Sequence, residues 1–426
     1  MAKKEIEHTT TMLGSQNMKG SQRMVSVVEP YELPEGWKWC RLGDVAEIIM
    51  GQSPAGTSMT ENQNDIAFIG GASDMGEELP NISRYTSEPT KLSKRDDVIV
   101  CIRATLGRPI FSDGIYCLGR GVAGIRSETL MKEYIKYGFL NFEQYLYDKA
   151  TGSTFLQVSS KYLNEMPFPL PPTLAEQQRI VNRIESMFAK LDEAKEKAQN
   201  VVDGFETRKA AILHKAFTGE LTAKWRKENG VSDDSWEEKT LGELLFPMTS
   251  KNPTGDTFRY IDIDAIDNEN QVVRCPKTIV TSEAPSRASR ELKENDVLFS
   301  MVRPYLKNIA FIDNSLSDCI ASTGFYICRC KEVIFPFYLY NFLCSKDAID
   351  YLMQFMKGDN SPSIRKDDLL GMKINLPTLP EQVEIVRILD IIIEKENKAK
   401  QAAESVLEQI DLLKKSILAR AFRGEL

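Results

Sequence analysis

The chain has 426 residues, of which 42% are hydrophobic and 27% charged, and a formal net charge of −7. Such a composition is typical of a globular protein long enough for two or three domains. There is no run of eighteen apolar residues and no signal-peptide pattern, so we expect a cytoplasmic protein without a membrane span. With His8 and His214 as the only histidines and no CxxC pair, histidine catalysis and zinc are disfavoured, and reduced structural thiols are expected.

The first third of the chain predicts an extension followed by a mixed domain. Residues 1–30 are polar and aperiodic, which predicts disorder. Residues 31–172 combine short strand-like runs, bounded by Gly, Asp and Pro, with an amphipathic helix over 128–149. The runs are Ile66–Ile69, Asp97–Ile102, Ile115–Leu118 and Val122–Ile125.

Residues 173–221 predict one long helix. Thr173 and Glu176 have the spacing of a capping box at its start, and Gly219 stands where a C-cap glycine would end it. Apolar residues recur between them in steps of four and three, which is the heptad pattern of a coiled coil. We assign helix pairing and partner docking to Ile180, Ile184, Met187, Leu191, Val201 and Phe205.

The second half of the chain repeats this plan. A polar linker is predicted over 222–234, a second mixed domain over 235–377 and a second long helix over 378–426, with Thr378 and Glu381 as its capping box. The strand-like runs are Tyr260–Ile263, Asp296–Met301, Asn308–Ile312 and Phe325–Cys328, followed by a helix over 333–356. In the long helix the pairing and docking positions are Ile385, Leu389, Ile392, Val406, Ile410 and Leu413, with Glu396 as a polar intruder.

The repeat has two offsets. Trp37 matches Trp236 and Asp97 matches Asp296 at an offset of 199, whereas the segments from Pro172 to Leu221 and from Pro377 to Leu426 match at 205. The offset changes within the front domains and is constant over the helices. We therefore predict an α/β (mixed α+β) protein with an internal pseudo-twofold repeat. Its two variable domains are separated by two long conserved helices, each reaching roughly 60 Å, that form an antiparallel coiled coil; the alternative is that each helix packs only on its own domain.

No catalytic motif is evident. The loop Gly51–Ser58 has Walker-like glycine spacing, but Thr57 stands where a lysine is required. There is no GxGxxG after a strand, no Asn/Asp-Pro-Pro-Tyr/Phe motif of amine methyltransferases, and no serine or cysteine with an evident histidine base. The aspartates of Ile261–Asp267 alternate with apolar residues, which is more typical of the solvent face of a strand than of a metal site.

The charge of the two domains is weakly acidic. Residues 31–172 contain 14 Lys and Arg against 18 Asp and Glu, a net of −4, and residues 235–377 contain 17 against 20, a net of −3. Neither domain has the basic excess of a non-specific nucleic-acid binder. If they bind DNA, positive residues must cluster on one face or a partner must contact the phosphates.

The repeated motifs resemble those of the specificity subunit of type I restriction–modification systems. The most specific are Pro169-Leu-Pro-Pro-Thr-Leu-x-Glu-Gln177 with Asn375-Leu-Pro-Thr-Leu-Pro-Glu-Gln382, and Ala216-Phe-x-Gly-Glu-Leu221 with Ala421-Phe-x-Gly-Glu-Leu426. The resemblance extends from about residue 31 to 426. It gives no role to the extension 1–30.

The resemblance implies a non-catalytic DNA-recognition subunit. Its two target recognition domains would each read one half of a split double-stranded DNA sequence, and its helices would hold them apart. Two methyltransferase subunits would dock on the chain, bind S-adenosylmethionine and methylate adenine, and restriction/translocase subunits would join for cleavage. The chain itself is expected to bind no cofactor and no metal.

Residues that read DNA are expected on loops that offer amides, hydroxyls and guanidinium groups. Candidates fall on the glycine loop, just past the matched strands and on the polar loop that precedes each proline run. They are Gln52, Ser53, Arg103, Arg108, Ser153, Thr154, Gln157, Ser159 and Lys161 in the first domain, and Arg303, Lys307, Asn360, Ser361, Ser363, Arg365 and Lys366 in the second. A stand-alone DNA-binding or anti-restriction protein, and a cryptic methyltransferase or nuclease, remain the alternatives.

Overall fold

The structure is a computed structural model, and it describes residues 29–152 and 155–426. Nearly all of the predicted extension 1–30 lies outside the described residues. The chain divides into two compact units. Unit 1 contains residues 29–194 and 409–426, and unit 2 contains residues 195–408. Each unit therefore combines one front domain with one part of each long helix.

Within the described residues, unit 1 contains ten strands, four whole helices, most of a fifth helix and the end of the second long helix. The strands are β1 (Lys38–Arg41), β2 (Glu47–Met50), β3 (Met59–Thr60), β4 (Ile66–Ile69), β5 (Tyr85–Thr86), β6 (Val98–Arg103), β7 (Thr105–Phe111), β8 (Cys117–Leu118), β9 (Val122–Arg126) and β10 (Pro167–Leu170). The helices are α1 (Leu42–Val45), α2 (Lys132–Asn141), α3 (Glu143–Lys149), α4 (Ser160–Asn164) and α5 (Leu174–Asp203), whose last residues enter unit 2.

Strand β6 is the centre of unit 1. It lies in the antiparallel sheet β2-β9-β6-β7, and all of its residues except Arg103 are buried. An unbroken apolar run of this kind is typical of a strand covered on both faces. A second sheet has the order β3-β5-β4-β8, with β4 and β8 parallel, and β1 pairs with β10.

Unit 2 follows in the same order. Its strands are β11 (Glu237–Thr240), β12 (Leu245–Phe246), β13 (Thr257–Ile261), β14 (Ile266–Asp267), β15 (Val272–Val273), β16 (Lys277–Val280), β17 (Ala288–Glu291), β18 (Val297–Ser300), β19 (Ile309–Phe311), β20 (Ile320–Ser322), β21 (Phe325–Cys330) and β22 (Lys373–Leu376). Its helices are α6 (Phe205–Phe217), α7 (Ala223–Asn229), α8 (Leu241–Leu244), α9 (Pro336–Cys344), α10 (Lys346–Met353), α11 (Lys366–Leu370) and the first thirty residues of α12 (Leu379–Phe422).

Most sheets of unit 2 have a counterpart in unit 1, and the two-stranded sheet β14-β15 is additional. The sheet β12-β21-β18-β19 matches β2-β9-β6-β7, the sheet β16-β13-β20-β17 again contains one parallel pair, and β11 pairs with β22 as β1 does with β10. The repeat deduced from the sequence is thus a repeat of topology. The helices predicted over 128–149 and 333–356 are each divided in two, as α2 with α3 and α9 with α10.

A buried ion pair explains the matched aspartates that precede β6 and β18. Asp97 accepts hydrogen bonds from Nε and Nη2 of Arg126, both at 2.7 Å. Asp296 is held in the same way by Arg329, at 2.9 and 2.8 Å. Both aspartates are buried, and each also accepts from a backbone N–H three residues earlier. The motif is therefore structural.

The Ala-Phe-x-Gly-Glu-Leu motif closes each core. Phe422 packs against Tyr134 in unit 1, with ring centres 4.8 Å apart, and Phe217 packs against Tyr338 in unit 2 at 5.2 Å. The glycine two residues after each phenylalanine has a positive φ, as expected for a helix C-cap.

The glutamine of the proline-run motif fastens each long helix to its front domain. Gln177 Oε1 accepts from the backbone N–H of Met131 at 2.9 Å, and its amide donates to the Thr129 carbonyl. Gln382 binds Phe335 and Val333 in the same way. Both glutamines are buried and each satisfies an orphan N–H at the start of a domain helix, α2 or α9.

The two long helices contact each other in antiparallel order. In unit 2, Arg208 Nε lies 2.7 Å from Glu396 Oε2, and Lys400 lies over the ring of Phe205. In unit 1, Lys414 binds Asp192 and lies over Phe188. The first long helix is divided at Gly204 into α5 and α6, whereas α12 is continuous over 44 residues.

The predicted pairing positions differ in their surroundings. Ile180, Ile184, Ile385 and Leu389 belong to the front-domain cores, so the start of each helix packs on its own domain as well as near the other helix. Phe205 and Ile410 are also buried. Met187, Leu191, Val201 and Ile392 are half-buried, while Val406 and Leu413 are exposed.

Two local predictions were wrong. Thr173 does accept from the N–H of Glu176, but Glu176 pairs with Arg179 rather than reaching back to the cap. Glu381 is buried and binds Arg226, at 2.8 Å.

The segment 222–234, predicted as a polar linker, instead contains α7, which buries Arg226. A buried carboxylate requires a charged partner, and here the partner comes from that segment.

Candidate nucleic-acid interface

In unit 1 the end of β6 meets the polar loop that precedes the proline run. Arg103 and Gln157 form an antiparallel bridge, and the N–H of Val158 donates to the carbonyl of Ile102 at 2.9 Å. The loop also closes on itself, since Thr151 and Gln157 exchange two backbone hydrogen bonds. Arg103 and Gln157, two of the predicted residues, therefore lie side by side, and both are exposed.

The glycine loop approaches the same region. Ser53 Oγ accepts from the backbone N–H of Arg120, at 3.2 Å, and from its Nε, at 3.4 Å. The carbonyl of Gly121 in turn accepts from the N–H of Ile102, next to Arg103. Gln52 is held through its backbone by Leu118 and Thr90 and leaves its side chain exposed. The loop 51–53 is thereby linked, through the turn 119–121, to the end of β6.

The remaining candidates of unit 1 are less closely gathered. The guanidinium of Arg108 donates to the carbonyls of Met75 and Ala72, at 3.1 and 3.5 Å, so it is partly committed to the fold. Ser159 and Lys161 are exposed at the start of α4. Ser153 and Thr154 lie outside the described residues.

Unit 2 shows the same meeting of strand end and loop. The N–H of Arg303 donates to the carbonyl of Pro362 at 2.8 Å, and its Nη2 donates to the carbonyl of Asn360 at 2.9 Å. Val302 and Ser363 form a bridge, and Lys357 and Ser363 exchange two backbone hydrogen bonds. This pattern is equivalent to that of Arg103 and the loop 151–158.

A cleft of about 650 Å³ lies at this point of unit 2. Arg303 and Ser361 border it together with Arg287, which the sequence analysis did not single out. Its wall also includes Asn308, which is only 7% exposed and whose amide makes no hydrogen bond within the described residues. The cleft therefore offers guanidinium groups, hydroxyls and an amide, which are groups that recognise phosphates and base edges, and its wall also contains the carboxylates of Asp262 and Asp264.

Other candidates of unit 2 serve the fold. Lys307 Nζ donates to the carbonyl of Cys344 at the C-terminal end of α9, at 3.3 Å, a favourable place for a cation. The N–H of Arg365 donates to Asp368 at the start of α11, and Lys366 is the first residue of that helix; the side chains of both are exposed. Contact of these residues with DNA stays a prediction.

The cysteines near these strands are buried thiols. Burial raises the pKa of Cys101, on β6, and of Cys319, next to β20, to about 11. Both thiols are therefore protonated at neutral pH and poor ligands or nucleophiles. In the described ranges no group of three His, Cys, Asp or Glu side chains is placed to hold a metal ion.

The chain contains two copies of one α/β unit. Each copy has an arginine at a strand end beside a polar loop and is attached to a pair of long helices. This arrangement defines a class of duplicated recognition scaffolds. Residues 34–202 and 233–409 both match the family described as the type I restriction modification DNA specificity domain. These matches cover most of the chain, and the protein belongs to that family. In the part of the chain that the structure describes, no helix is both long and apolar enough to cross a membrane.

Curated relatives are specificity subunits of type I restriction enzymes. A subunit from Methanocaldococcus jannaschii is 30% identical over 45% of this chain and 45% of its own length. The EcoDI subunit of Escherichia coli is 22% identical over 93% of this chain and 90% of its own length. Thus the chain spans under half of the first relative and nearly all of the second.

Solved structures have the same fold. The HsdS subunit from Thermoanaerobacter tengcongensis has a TM-score of 0.64 at 21% identity, covering 93% of this chain and 99% of that one. A chain from a study of complex assembly in a type I restriction–modification system has a TM-score of 0.68 at 21% identity, covering 93% and 100%.

Proposed function

We propose that this chain is the DNA sequence-specificity subunit of a type I restriction–modification complex. Each unit reads one half of a bipartite double-stranded DNA target. One observation carries the proposal: Arg103 and Arg303 lie at the ends of equivalent strands, each beside a polar loop, although the surrounding sequences differ. An arginine at the same place in both units, surrounded by side chains that differ between the units, is what we expect of two domains that bind two different DNA half-sites.

Catalysis and cofactor binding are assigned to partner subunits. The chain does not itself catalyse a reaction; methyltransferase subunits in the cytoplasm bind S-adenosylmethionine and methylate adenine, and restriction/translocase subunits cleave. The weak negative charge of both domains supports this assignment, because the partners then supply much of the phosphate binding. Labelled S-adenosylmethionine incubated with the purified chain and DNA tests it. Incorporation of label would overturn the non-catalytic role.

Two copies of the methyltransferase are expected to dock. Leu174 and Leu379 are equivalent in the repeat, each is the first residue of a long helix, and each is exposed. Two equivalent exposed leucines suit two copies of one partner. Native mass spectrometry of Leu174→Glu and Leu379→Glu complexes should each show loss of one methyltransferase copy. Failure of the unaltered chain to co-purify with any methyltransferase would favour a stand-alone DNA-binding or anti-restriction protein.

Mapping of methylated adenines in host DNA, with and without this gene, tests the function directly. Arg303→Ala should weaken binding or relax the second half-site and leave the first unchanged. Arg259→Ala is the matched control, because it removes the same charge from unit 2 at a residue paired with Asp318. If the arginine at 303 contributes nothing, the two variants will give the same methylation motif and affinity as the unaltered chain.

A further inference from the structure

Each unit exposes one aromatic residue followed by a leucine beside the arginine of its strand end. In unit 1 these are Phe155 and Leu156, with 58% and 37% of their surface exposed. In unit 2 they are Tyr305 and Leu306, with 42% and 37% exposed. Single exposed apolar side chains are normal on a protein surface; what these two pairs share is their place beside a candidate DNA-contacting arginine.

The two pairs come from different segments of chain. Phe155 and Leu156 belong to the polar loop, and the carbonyl of Leu156 accepts from the N–H of Ala104 just past β6. Tyr305 and Leu306 belong to the turn that follows β18 itself. The equivalent segment of unit 1 offers no such pair, because its Leu106, on β7, is fully buried. The recurrence is therefore one of location and is not explained by the sequence repeat.

Both pairs are held in place by their surroundings. Pro304–Leu306 form a single 3-10 turn between Arg303 and Lys307, and both flanking residues have a left-handed backbone, with φ of 49° and 50°. Leu306 borders the cleft of about 650 Å³ on one side and a groove of about 1190 Å³ on the other, so the turn is a ridge. In unit 1 the guanidinium of Arg103 lies 5.9 Å from the centre of the Phe155 ring.

We propose, resting on the proposed function, that Phe155–Leu156 and Tyr305–Leu306 are wedges that insert between base pairs of the two DNA half-sites. The ring stacks on a base, the leucine fills the opened step, and the adjacent arginine contacts a phosphate. Apolar side chains beside an arginine fit this ligand, since inserted apolar residues unstack and kink a duplex. An unstacked step also lowers the energy needed to turn a base out for methylation.

The test uses the assembled complex and a duplex carrying the mapped target, with 2-aminopurine placed at successive positions of each half-site. Fluorescence rises where a base loses its stacking neighbour. Phe155→Ala should abolish the rise in the first half-site only, and Tyr305→Ala in the second only. Because stacking on an aromatic ring contributes strongly to each base contact, each variant should also bind about 5- to 100-fold more weakly. Tyr305→Phe should retain both properties.

Matched controls are Ile115→Ala in unit 1 and Val280→Ala in unit 2, which remove exposed apolar side chains elsewhere and should change neither fluorescence nor affinity. If both alanine variants bind DNA normally and show the same fluorescence as the unaltered complex, the wedge proposal is wrong, but the proposed function is not affected. Loss of methyltransferase from the Tyr305→Ala complex, with fluorescence per bound complex unchanged, also overturns them, because the pair would then be a protein contact. If the unaltered complex shows no sequence-dependent binding, the proposed function itself fails.

Discussion

Arg226→Met is expected to destabilise unit 2 by about 3–5 kcal/mol, the usual cost of removing one partner of a buried ion pair. Arg226 is 6% exposed and Glu381 is fully buried. Arg226 Nη1 lies 2.8 Å from Glu381 Oε1, which also accepts from the Thr222 hydroxyl at 2.7 Å. Burial lowers the pKa of Arg226, but its hydrogen bonds and attraction to Glu381 and Asp233 hold the pKa above its usual value. Loss of the guanidinium leaves the carboxylate buried without a countercharge.

Hydrogen exchange in urea, followed at α7 and at the first turns of α12, measures this effect without assuming that two units unfold together. Glu176→Gln is the matched control, because Glu176 is equivalent to Glu381 in the repeat but makes a surface pair with Arg179. Its cost should be at most about 0.5 kcal/mol. Arg226→Met combined with Glu381→Leu should recover most of the loss. A cost of under about 1 kcal/mol for Arg226→Met alone would refute the assignment of this pair as a buried anchor.

Three further outcomes are expected. Gln382→Leu leaves the N–H of Phe335 without an acceptor and should cost about 1–3 kcal/mol, seen as faster amide exchange at the start of α9; the exposed Gln178→Leu should not. Gly424→Ala should lower the thermal midpoint of unfolding more than Gly219→Ala. Both glycines have a positive φ, but a Cβ added at residue 424 would lie 2.2 Å from Pro34 Cγ, whereas the nearest atom to a Cβ added at residue 219 would be 3.3 Å away. The hydrogen bond to Asp347 raises the pKa of His214 in the folded protein. The pair therefore stabilises unit 2 fully at pH values below the pKa of about 6.5 that the histidine has in the unfolded chain, and this stabilisation is lost as the pH rises through the higher pKa of the folded state. In Asp347→Asn, an NMR titration of His214 should show a normal pKa.

The long helices and the repeat could be predicted because their signals are local and periodic. Capping threonine, heptad apolar residues and terminal glycine all act within a few turns of one helix. The role of Gln177 could not be predicted in this way. Its partners, Thr129 and Met131, are more than forty residues away, and only the fold brings them to the helix start.

The capping-box error has the same physical origin. Thr173-x-x-Glu176 and Thr378-x-x-Glu381 are identical patterns, yet one glutamate is half-buried beside Arg179 and the other is fully buried beside Arg226. The decisive difference lies 155 residues from Glu381 in the chain. A local rule predicts which hydrogen bond is available, and tertiary contacts decide which is made.

The candidate interface stays a prediction. The sequence analysis singled out Arg103, Arg303 and the two polar loops as separate candidates, and it is the fold that brings each arginine beside its loop. Arg120, Arg287 and Asn308 were missed, since each comes from a turn with no distinguishing local pattern. Lys307 was included for its charge, although its ammonium is bound to a helix end.

The two halves have diverged through paired changes. Glu396, the polar intruder in the heptads of α12, binds Arg208, and the repeat places Leu191 and Leu413 at the equivalent positions of unit 1. Arg208 also donates to the carbonyl of Val201, and a Cβ at residue 204 would lie 2.4 Å from its guanidinium. A side chain at 204 would therefore displace the guanidinium of Arg208, and the division between α5 and α6 falls at this glycine. The residues of α12 equivalent to Gly204 and Arg208 are Gln409 and Leu413, and α12 is unbroken. The long helix that carries the arginine is thus the one divided beside it, at a glycine, and the long helix that carries a leucine at the equivalent position is continuous.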